Sequence, residues 1–477
     1  MFSLRSITAI AALASTVVGS ALQEKCPSSD VDIKAFAKSL SHTAEVYYPG
    51  SSGFENVTAR WSVLEEPQVN LVVVPGTEND VAETVKYANK KNIPFLAYNG
   101  VHGALVSLGK MDHGIGISLS KLRSIKVNED GKTATFGGGV MSKQITDHLW
   151  AAGKQTVTGT CECVSYLGPA LGGGHGWLQG HHGLVADQFV SMNVVLADGT
   201  LTTIDADSEL WWAMKGAGHN FGIVTSVTSK IYDIEHTEWA IETITFSGAK
   251  VEAVYQAAND YLVKNGTQPA GVINWSYWMN DGSDPNSPVI VFYIIQEGVK
   301  AVESTYTKAF HEIGPISVNP QSGTYKELAI DSPPCQKLGF ANPRFPIYLE
   351  QYNVHAQKKA WDIYAPAGYS AEGVHAIPTD STAFAFRSEN LLAAPMINYA
   401  PAGDTLERKA ADLGNQLRNI LSAATGRDDF RAYINYAYGS ETSQQIYGSE
   451  NWRQERLSGL KHKYDPRGKF SFYAPIE

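Results

Sequence analysis

The sequence predicts an α+β fold with two lobes, and three observations support this prediction. The chain has 477 residues, which is more than one ordinary hydrophobic core organises. From Leu71 to about Tyr232 it is rich in glycine, and short predicted strands and helices follow one another. After Tyr232 the predicted strands are rich in strong β-forming residues and are separated by helices, which is typical of an antiparallel sheet backed by helices.

The predicted elements of the first lobe follow from local patterns. Short apolar runs predict strands at 70–75 and 93–98, and apolar residues at helical spacing predict a helix over 79–92 with Asn79 as its N-cap. The Asp-Gly pairs at 130–131 and 198–199 each lie between apolar runs and predict hairpin turns. The remaining predictions are a strand at 114–122, helices at 141–152 and 208–215, and a strand at 221–231.

The second lobe and the C-terminal segment are predicted in the same way. Residues 315–380 contain many prolines and no clear period, so little can be predicted for them. A short aromatic strand is predicted from Arg431, and a basic amphipathic helix that stops at Asp465-Pro466 follows it. The other predictions are strands at 239–246, 271–279, 288–296 and 382–386, and helices at 250–264, 301–313 and 406–424.

The net charge of the chain limits the expected binding partners, and its N-terminal sequence indicates where the protein is located. The net charge is −10 and basic residues form no cluster, so neither nucleic acid nor a membrane surface is an expected partner. An apolar run from Ile7 to Val18, with small residues after it, predicts a signal peptide over residues 1–20 and therefore secretion. Asn-x-Ser/Thr triplets accordingly predict glycosylation at Asn56, Asn265 and Asn274. The oligomeric state is left open.

Residues 159–188 concentrate two cysteines, three histidines and eight glycines, and several kinds of site compete for them. A Rossmann dinucleotide site is not predicted, because no strand precedes Gly172 and no helix follows the glycines. The cysteine and histidine spacings match no common zinc pattern, so no metal site is predicted, although zinc stays an alternative. A further hypothesis is that the glycines let backbone N–H groups approach a pyrophosphate, next to a residue that binds the cofactor covalently. The alternative is that these glycines only form tight turns.

A single disulfide between Cys26 and Cys335 is the simplest pairing of the remaining cysteines.

Two segments carry residues that suit covalent attachment of a cofactor. They are AYNGVHGALVSLG, which contains His102, and GTCECVSYLGPALGGGHG, which contains Cys161 and Val164. The first is similar to an R-x-G-G-H loop, although Asn99-Gly100-Val101 lacks the usual Arg and second Gly. The second is similar to a C-P-T-V-G…G-G-G segment, with Glu162-Cys163 in place of Pro-Thr.

Two further segments complete the pattern. GAGHNFGIVTSV contains Gly222 and Val224, and RAYINYAYG with the later KYDPRGKF contains Tyr433 and Tyr436. The four segments, in this order, resemble the vanillyl-alcohol oxidase and para-cresol methylhydroxylase (PCMH) superfamily of flavin-linked oxidases. The nearest branch is the berberine-bridge-enzyme-like group in its secreted fungal form.

The resemblance implies roles for individual residues. It implies FAD bound covalently through His102, with His113 as the alternative, and through Cys161, with Cys163 as the alternative. A compact residue at Val164 implies that oxygen reaches the flavin. Tyr436, with Tyr433 beside it, is implied as the catalytic base. The glycines and strand residues that it implies in cofactor binding are Gly172, Gly173, Gly174, Gly222 and Val224.

The fold and function that the resemblance implies are correspondingly specific. A PCMH-type FAD-binding domain is expected over 21–235, a substrate domain over 236–425, and a C-terminal segment that returns to the FAD domain over 426–477. The expected activity is hydride transfer from a small alcohol, amine or phenolic metabolite, within fungal secondary metabolism, to FAD and then to O₂. Alternatives are a carbohydrate oxidase, a non-redox cyclase on the flavin scaffold, and a binding protein with a vestigial flavin.

Overall fold

A computed structural model describes residues 27–281, 284–328, 339–361 and 372–476. By its contacts the chain divides into two compact units, Met1–Ser39 and Leu40–Glu477. Helix α1, Pro27–Ser39, is the described element of the first unit, and every element below belongs to the second. The predicted signal peptide and the cysteines of the predicted Cys26–Cys335 bridge lie outside the described residues. The domain boundaries remain predictions.

A four-stranded sheet opens the second unit. In spatial order its strands are β1 (Glu45–Tyr47), β2 (Val69–Val74), β4 (Gly114–Ser118) and β3 (Phe95–Tyr98). Helix α3, Glu78–Lys91, connects β2 to β3, and both strands run parallel to β4, which lies between them. The predicted strand–helix–strand unit is therefore confirmed. The N-cap of α3 is Thr77 rather than Asn79, because the Thr77 hydroxyl and the Asp80 carboxylate form a reciprocal capping box.

A five-stranded antiparallel sheet follows. In spatial order its strands are β5 (Ile125–Val127), β6 (Thr133–Gly137), β10 (Ile223–Lys230), β8 (Phe189–Val195) and β9 (Leu201–Asp205). Both predicted hairpins are confirmed, because β5 pairs with β6 and β8 pairs with β9. Gly131 and Gly199 have φ values of +62° and +88°, which explains glycine at these turns. A two-stranded ribbon of β7 (Lys154–Gln155) and β11 (Tyr232–Asp233) lies apart from this sheet.

The second lobe is built on an antiparallel sheet, as predicted, and the sheet has four strands. Its spatial order is β13 (Val272–Asp281), β14 (Asp284–Glu297), β12 (Trp239–Ser247) and β15 (Ser317–Gly323). One face contributes Phe246, Ile290 and Phe292 to a core shared with three helices, α8 (Val251–Ala258), α10 (Val354–Trp361) and α12 (Asp404–Ala423). On the other face Ile273 and Ile295 join the core of the first lobe. The sheet thus belongs to both cores.

Short elements complete the structure. The remaining strands are β16 (Ile347–Leu349) and β17 (Leu391–Ala393). The other helices are α2 (Ser52–Thr58), α4 (Ser142–Ala151), α5 (Leu167–Ala170), α6 (Gln179–His182), α7 (Leu210–Met214), α8 (Val251–Ala258), α9 (Ser304–Ile313), α10 (Val354–Trp361), α11 (Glu372–His375), α12 (Asp404–Ala423), α13 (Ser443–Tyr447) and α14 (Asn451–Tyr464). The strand predicted at 382–386 is absent, because these residues form bends and extended loop. In the described ranges no helix is both long and apolar enough to cross a membrane.

The three predicted glycosylation sites differ in exposure. Asn56 and Asn265 are exposed. Asn274 is fully buried, and its amide donates a hydrogen bond to Gln268 Oε1 at 2.7 Å. The prediction for Asn274 is therefore wrong for the folded chain, because its β13 position points into the core. Glycosylation at Asn56 and Asn265 remains a prediction.

Candidate active site

The loop that carries His102 follows strand β3. Val101 has a φ of +53°, a left-handed conformation that is rare for a β-branched residue. This is the position at which the related motif has its second glycine, so the chain keeps the backbone conformation without the residue that favours it. The imidazole of His102 stacks on Trp61 with ring centroids 5.7 Å apart.

The loop that carries Cys161 is a tight turn against helix α4. The Val164 amide donates to the Cys161 carbonyl at 3.4 Å, and the Val164 carbonyl accepts from the Ser142 amide at 3.0 Å. Cys161 and Val164 therefore lie at the two ends of one turn. Cys163, between them, is disulfide-bonded, whereas Cys161 is outside any disulfide. Cys161 is the cysteine of this motif that keeps a thiol.

The His102 and Cys161 loops are in direct contact. His102 Nε2 lies 3.5 Å from Cys163 Sγ, and a Cβ at Gly100 would lie 3.0 Å from the Ser165 amide nitrogen. The alternative tether, His113, lies on an exposed loop, where its ring pairs with the Asn70 side chain. The geometry thus brings the two preferred tether residues to adjacent loops. The attachment itself remains a prediction.

The predicted glycine cradle is largely filled by protein side chains. A Cβ at Gly172 would lie 2.4 Å from Ile434 Cγ2, and one at Gly173 would lie 2.6 Å from the Phe384 ring. Gly173 and Gly174 have φ values of +102° and +83°. At these glycines the structure therefore shows tight turns and close packing, which was the alternative interpretation. Direct cofactor contact at Gly172, Gly173 and Gly174 remains a prediction.

The strand end at Gly222 and Val224 is also tightly packed. A Cβ at Gly222 would lie 2.3 Å from Val194 Cγ1, and one at Gly138 would lie 2.7 Å from the Val224 carbonyl oxygen. Gly138 belongs to a second run of three glycines, Gly137–Gly139, which the sequence analysis did not single out. This run joins β6 to α4, so it links the sheet to the helix under the Cys161 loop.

Tyr433 and Tyr436 lie on one turn rather than on the predicted strand. Ile434–Tyr436 forms a 3₁₀ turn, in which side chains three residues apart face the same side. The two rings consequently touch, with centroids 5.2 Å apart. The strand predicted from Arg431 would place Tyr433 and Tyr436 on opposite faces, and this prediction is wrong because the chain forms a turn here instead.

Tyr436 belongs to a group of side chains that we call the cationic cluster: Trp61, Arg344 and Tyr436. The Arg344 guanidinium carbon lies 4.3 Å from the Trp61 ring centroid and 4.6 Å from the Tyr436 ring centroid. Because Trp61 also stacks on His102, one line of contacts joins the predicted tether to the predicted base. Arg344 and Trp61 were both missed in the sequence analysis.

Tyr433 belongs to a second group, the neutral cluster: His175, Tyr348 and Tyr433. His175 Nδ1 donates to Gln179 Oε1 at 2.8 Å, and its Nε2 accepts from the Tyr348 hydroxyl at 3.1 Å. Burial lowers the pKa of His175 to about 4 and raises the pKa values of both tyrosines. The three side chains are therefore uncharged at neutral pH. His175 stood in the GGGHG segment, but its spacing gave no sign of these partners.

Three buried polar atoms suit a polar cofactor along these segments. The Tyr98 hydroxyl, Ser142 Oγ and His219 Nε2 have no hydrogen-bond partner among the described residues. One precedes the His102 loop, one contacts the Cys161 turn through its amide, and one lies in the GAGHNFG segment. Buried polar atoms of this kind usually pair with a ligand, water or another group. The residues present therefore fit FAD. In the same ranges no three histidine, cysteine or acidic residues come close enough to hold a metal, so nothing there supports the zinc alternative.

Comparisons with known proteins agree with this geometry. A family model described as "FAD binding domain" matches residues 69–205, and one described as "Berberine and berberine like" matches residues 432–477. The chain is 57% identical to the FAD-linked oxidoreductase chyH of Penicillium rubens and 52% identical to the FAD-linked oxidoreductase chry5 of Gibberella zeae, in each case over 99% of both chains.

Solved structures show the same fold. The BBE-like 1 protein of Physcomitrella patens is 21% identical with a TM-score of 0.80, over 94% of this chain and 99% of that one. The 6-hydroxy-D-nicotine oxidase of Arthrobacter nicotinovorans is 22% identical with a TM-score of 0.76, over 92% and 98%. Both confirm the predicted fold class. The chain belongs to the berberine-bridge-enzyme-like family of FAD-linked oxidoreductases.

Proposed function

We propose that the protein is a secreted oxidase that removes hydride from a small alcohol, amine or phenolic metabolite and uses O₂ as final acceptor. One observation carries the proposal: the line of contacts His102, Trp61, Arg344 and Tyr436. This line of contacts joins His102, which is proposed to hold the cofactor, to the phenol of Tyr436, which lies beside the positive charge of Arg344.

Tyr436 is the proposed catalytic base. A guanidinium over an aromatic ring is attracted by the ring and stabilises negative charge near it. In the phenolate form Tyr436 accepts the O–H or N–H proton of the substrate. Tyr433 is less suited to this role, because burial raises its pKa and no cation lies over its ring in the described residues.

His102 and Cys161 are the proposed covalent attachment sites for FAD. FAD bound there would supply the hydride acceptor and a route for two electrons to oxygen, with hydrogen peroxide as the product. Val164, at the far end of the Cys161 turn, is a compact residue in the place proposed for oxygen access. Secretion is proposed because the apolar run from Ile7 to Val18 predicts a signal peptide over residues 1–20, and the exposed Asn56 and Asn265 suit glycosylation on that route.

Aromatic side chains around Tyr433 favour a flat substrate. Phe384 and Phe386 both contact Tyr348, and Tyr348 contacts Tyr433. Such walls pack well against a phenolic or heteroaromatic ring. The chain's relatives in filamentous fungi are consistent with a role in secondary metabolism.

A carbohydrate oxidase is the second candidate. Trp275 and Tyr293 stack on the face of the second-lobe sheet away from the helices, with centroids 5.2 Å apart, and both are partly exposed. Aromatic faces of this kind also suit sugars. Solved structures of the same fold include the carbohydrate oxidase of Microdochium nivale, at 19% identity and a TM-score of 0.77 over 94% and 99% of the two chains.

Two measurements test the proposal. The purified protein is precipitated with acid, and we expect flavin to stay in the pellet for the parent, His102→Ala and Cys161→Ala, and to leave it only in the double variant. Oxygen uptake is then recorded on a panel of phenols, alcohols and amines and on a panel of oligosaccharides. Uptake on sugars alone would establish the second candidate. Conversion of a metabolite without oxygen uptake would establish a cyclase and overturn the oxidase.

A further inference from the structure

The segment Arg60–Trp61 contacts three consecutive residues of the His102 loop. The Trp61 amide donates to the Val101 carbonyl at 3.3 Å, and the Trp61 ring stacks on the His102 ring. Arg60 Nη2 donates to the Gly103 carbonyl at 2.8 Å. Each residue from Val101 to Gly103 is therefore held by the same dipeptide, some forty positions earlier in the chain.

This dipeptide is itself firmly anchored. Trp61 is 4% exposed and Arg60 is 8% exposed. The Trp61 carbonyl accepts from the Asn342 side chain at 2.9 Å, and the Asn342 amide donates to Ser62 Oγ at 3.0 Å. Asn342 lies two residues before Arg344, so the segment that bonds to Trp61 also carries the guanidinium over the Trp61 ring. The contacts to the His102 loop therefore come from a rigid support.

The His102 loop needs such a support. A β-branched residue in the left-handed conformation of Val101 costs on the order of 1–3 kcal/mol and persists only where the surroundings hold it. The loop also lacks the arginine of the related motif, because Tyr98 occupies that position. Arg60 brings a buried guanidinium to the other end of the loop, where it donates a hydrogen bond to the Gly103 carbonyl.

We propose that Trp61 and Arg60 are positioning residues that hold the His102 imidazole in the orientation needed for covalent attachment of the flavin. The inference rests on the proposed attachment at His102. That bond replaces a methyl C–H of the flavin and an imidazole N–H by a C–N bond; the two hydrogens and their electrons pass to the flavin ring and then to dioxygen as hydrogen peroxide. Trp61 and Arg60 take no part in this redox chemistry and act only by holding the His102 imidazole in position.

The test compares the two attachment sites within one protein. Flavin-bearing peptides of the purified full chain are quantified by mass spectrometry after proteolysis. In Trp61→Leu we expect the His102-linked fraction to fall by about tenfold, since misplacing a reacting group by about 1 Å costs up to about 100-fold in rate. The Cys161-linked fraction stays near that of the parent. Trp61→Phe, which keeps an aromatic face, recovers most of the His102 bond.

A second pair of variants covers the case in which Trp61→Leu does not fold. Arg60→Gln removes the hydrogen bond to Gly103, and we expect a fall of about threefold in the His102-linked fraction; Arg60→Lys restores part of it. Trp278→Leu is the matched control, because Trp278 is equally buried but packs in the second-lobe core. It should lower stability without changing the ratio of the two linkages.

The outcomes separate this inference from the proposed function. An unchanged ratio in Trp61→Leu and Arg60→Gln overturns the positioning role. Equal loss of both linkages overturns it as well, because that result indicates general destabilisation. A parent protein that carries flavin at Cys161 but never at His102 refutes the proposed attachment itself, and the inference falls with it.

Discussion

Tyr433 and Tyr436 lie on one 3₁₀ turn with their rings in contact, yet their surroundings differ in charge. Tyr436 faces the cationic cluster, where the Arg344 guanidinium lies between two aromatic rings. Tyr433 faces the neutral cluster, where its hydroxyl accepts hydrogen bonds from the Asn435 amide at 2.7 Å and the His175 backbone at 3.4 Å. A tyrosine side chain therefore lies beside a cation at position 436 and in a desolvating environment at position 433.

The difference shows why sequence position alone could not choose between the two tyrosines. Burial raises the pKa of Tyr433, so it keeps its proton at neutral pH and can donate or accept hydrogen bonds without changing charge. A base has to accept a proton and then release it, which requires an accessible charged form. The Arg344 guanidinium lies 4.6 Å from the centroid of the Tyr436 ring, whereas no cation lies over the Tyr433 ring among the described residues.

The largest expected effect comes from the hydroxyl of Tyr436. Removing a positioned base costs about 10²–10⁴-fold in rate. We therefore expect Tyr436→Phe to slow anaerobic reduction of the flavin by that amount, while bound flavin and folding are kept. Rapid-mixing absorbance at the flavin band measures the step without oxygen. Tyr433→Phe is the matched control, with an expected loss of about tenfold or less, and the reverse order of the two losses would assign the base to Tyr433.

Arg344 should have the next largest effect. Arg344 is partly buried, and a cation over a ring contributes about 0.5–2 kcal/mol, which corresponds to roughly 2- to 30-fold in rate. Arg344→Met is expected to slow flavin reduction by about that factor, and Arg344→Lys by less. If the effect acts through Tyr436, Arg344→Met should have little further effect in a Tyr436→Phe background. Additive losses in the double variant would show that Arg344 acts on the substrate or elsewhere.

Local elements were predictable from the sequence because short-range rules fix them. The run of valines before helix α3 favours a strand, and the Asp-Gly pairs at 130 and 198 favour hairpin turns. The 3₁₀ turn at Ile434–Tyr436 was missed because alternating aromatic residues also suit a strand, and tertiary packing decided between them. Asn274 was misassigned for a related reason, since a sequon says nothing about which face of a strand is buried.

The candidate site was predictable only where a motif marks it. His102, Cys161 and Tyr436 stand in segments that resemble a known family, and the structure brings the first two to adjacent loops. Trp61 and Arg344 stand in no such segment, and Arg344 lies in the proline-rich stretch without a readable period. Their contact spans 283 positions of the chain, and only the folded structure shows it.

The smallest expected effect concerns the neutral cluster and the pH dependence of stability. The folded-state pKa of His175 is about 4, below its ordinary value of 6.5. Between these pH values the unfolded chain binds a proton that the folded chain does not. This group therefore does not lower the unfolding free energy above pH 6.5, and it lowers that free energy progressively as pH falls toward 4. One such proton contributes up to about 1.4 kcal/mol per pH unit.

The experiment is urea unfolding of the flavin-bound protein at several pH values from 4.5 to 7.5. We expect the unfolding free energy to fall as pH decreases. In His175→Gln the slope of this free energy against pH should be smaller, by an amount that corresponds to the uptake of up to one proton on unfolding. Some slope remains in that variant, because burial also lowers the pKa values of His182 and His219 to about 4. His113→Gln is the control, because it removes an imidazole from an exposed loop and leaves the buried cluster intact. A parent slope that His175→Gln does not alter would mean that His175 binds its proton as readily in the folded protein as in the unfolded chain, so that burial does not keep it neutral in this pH range.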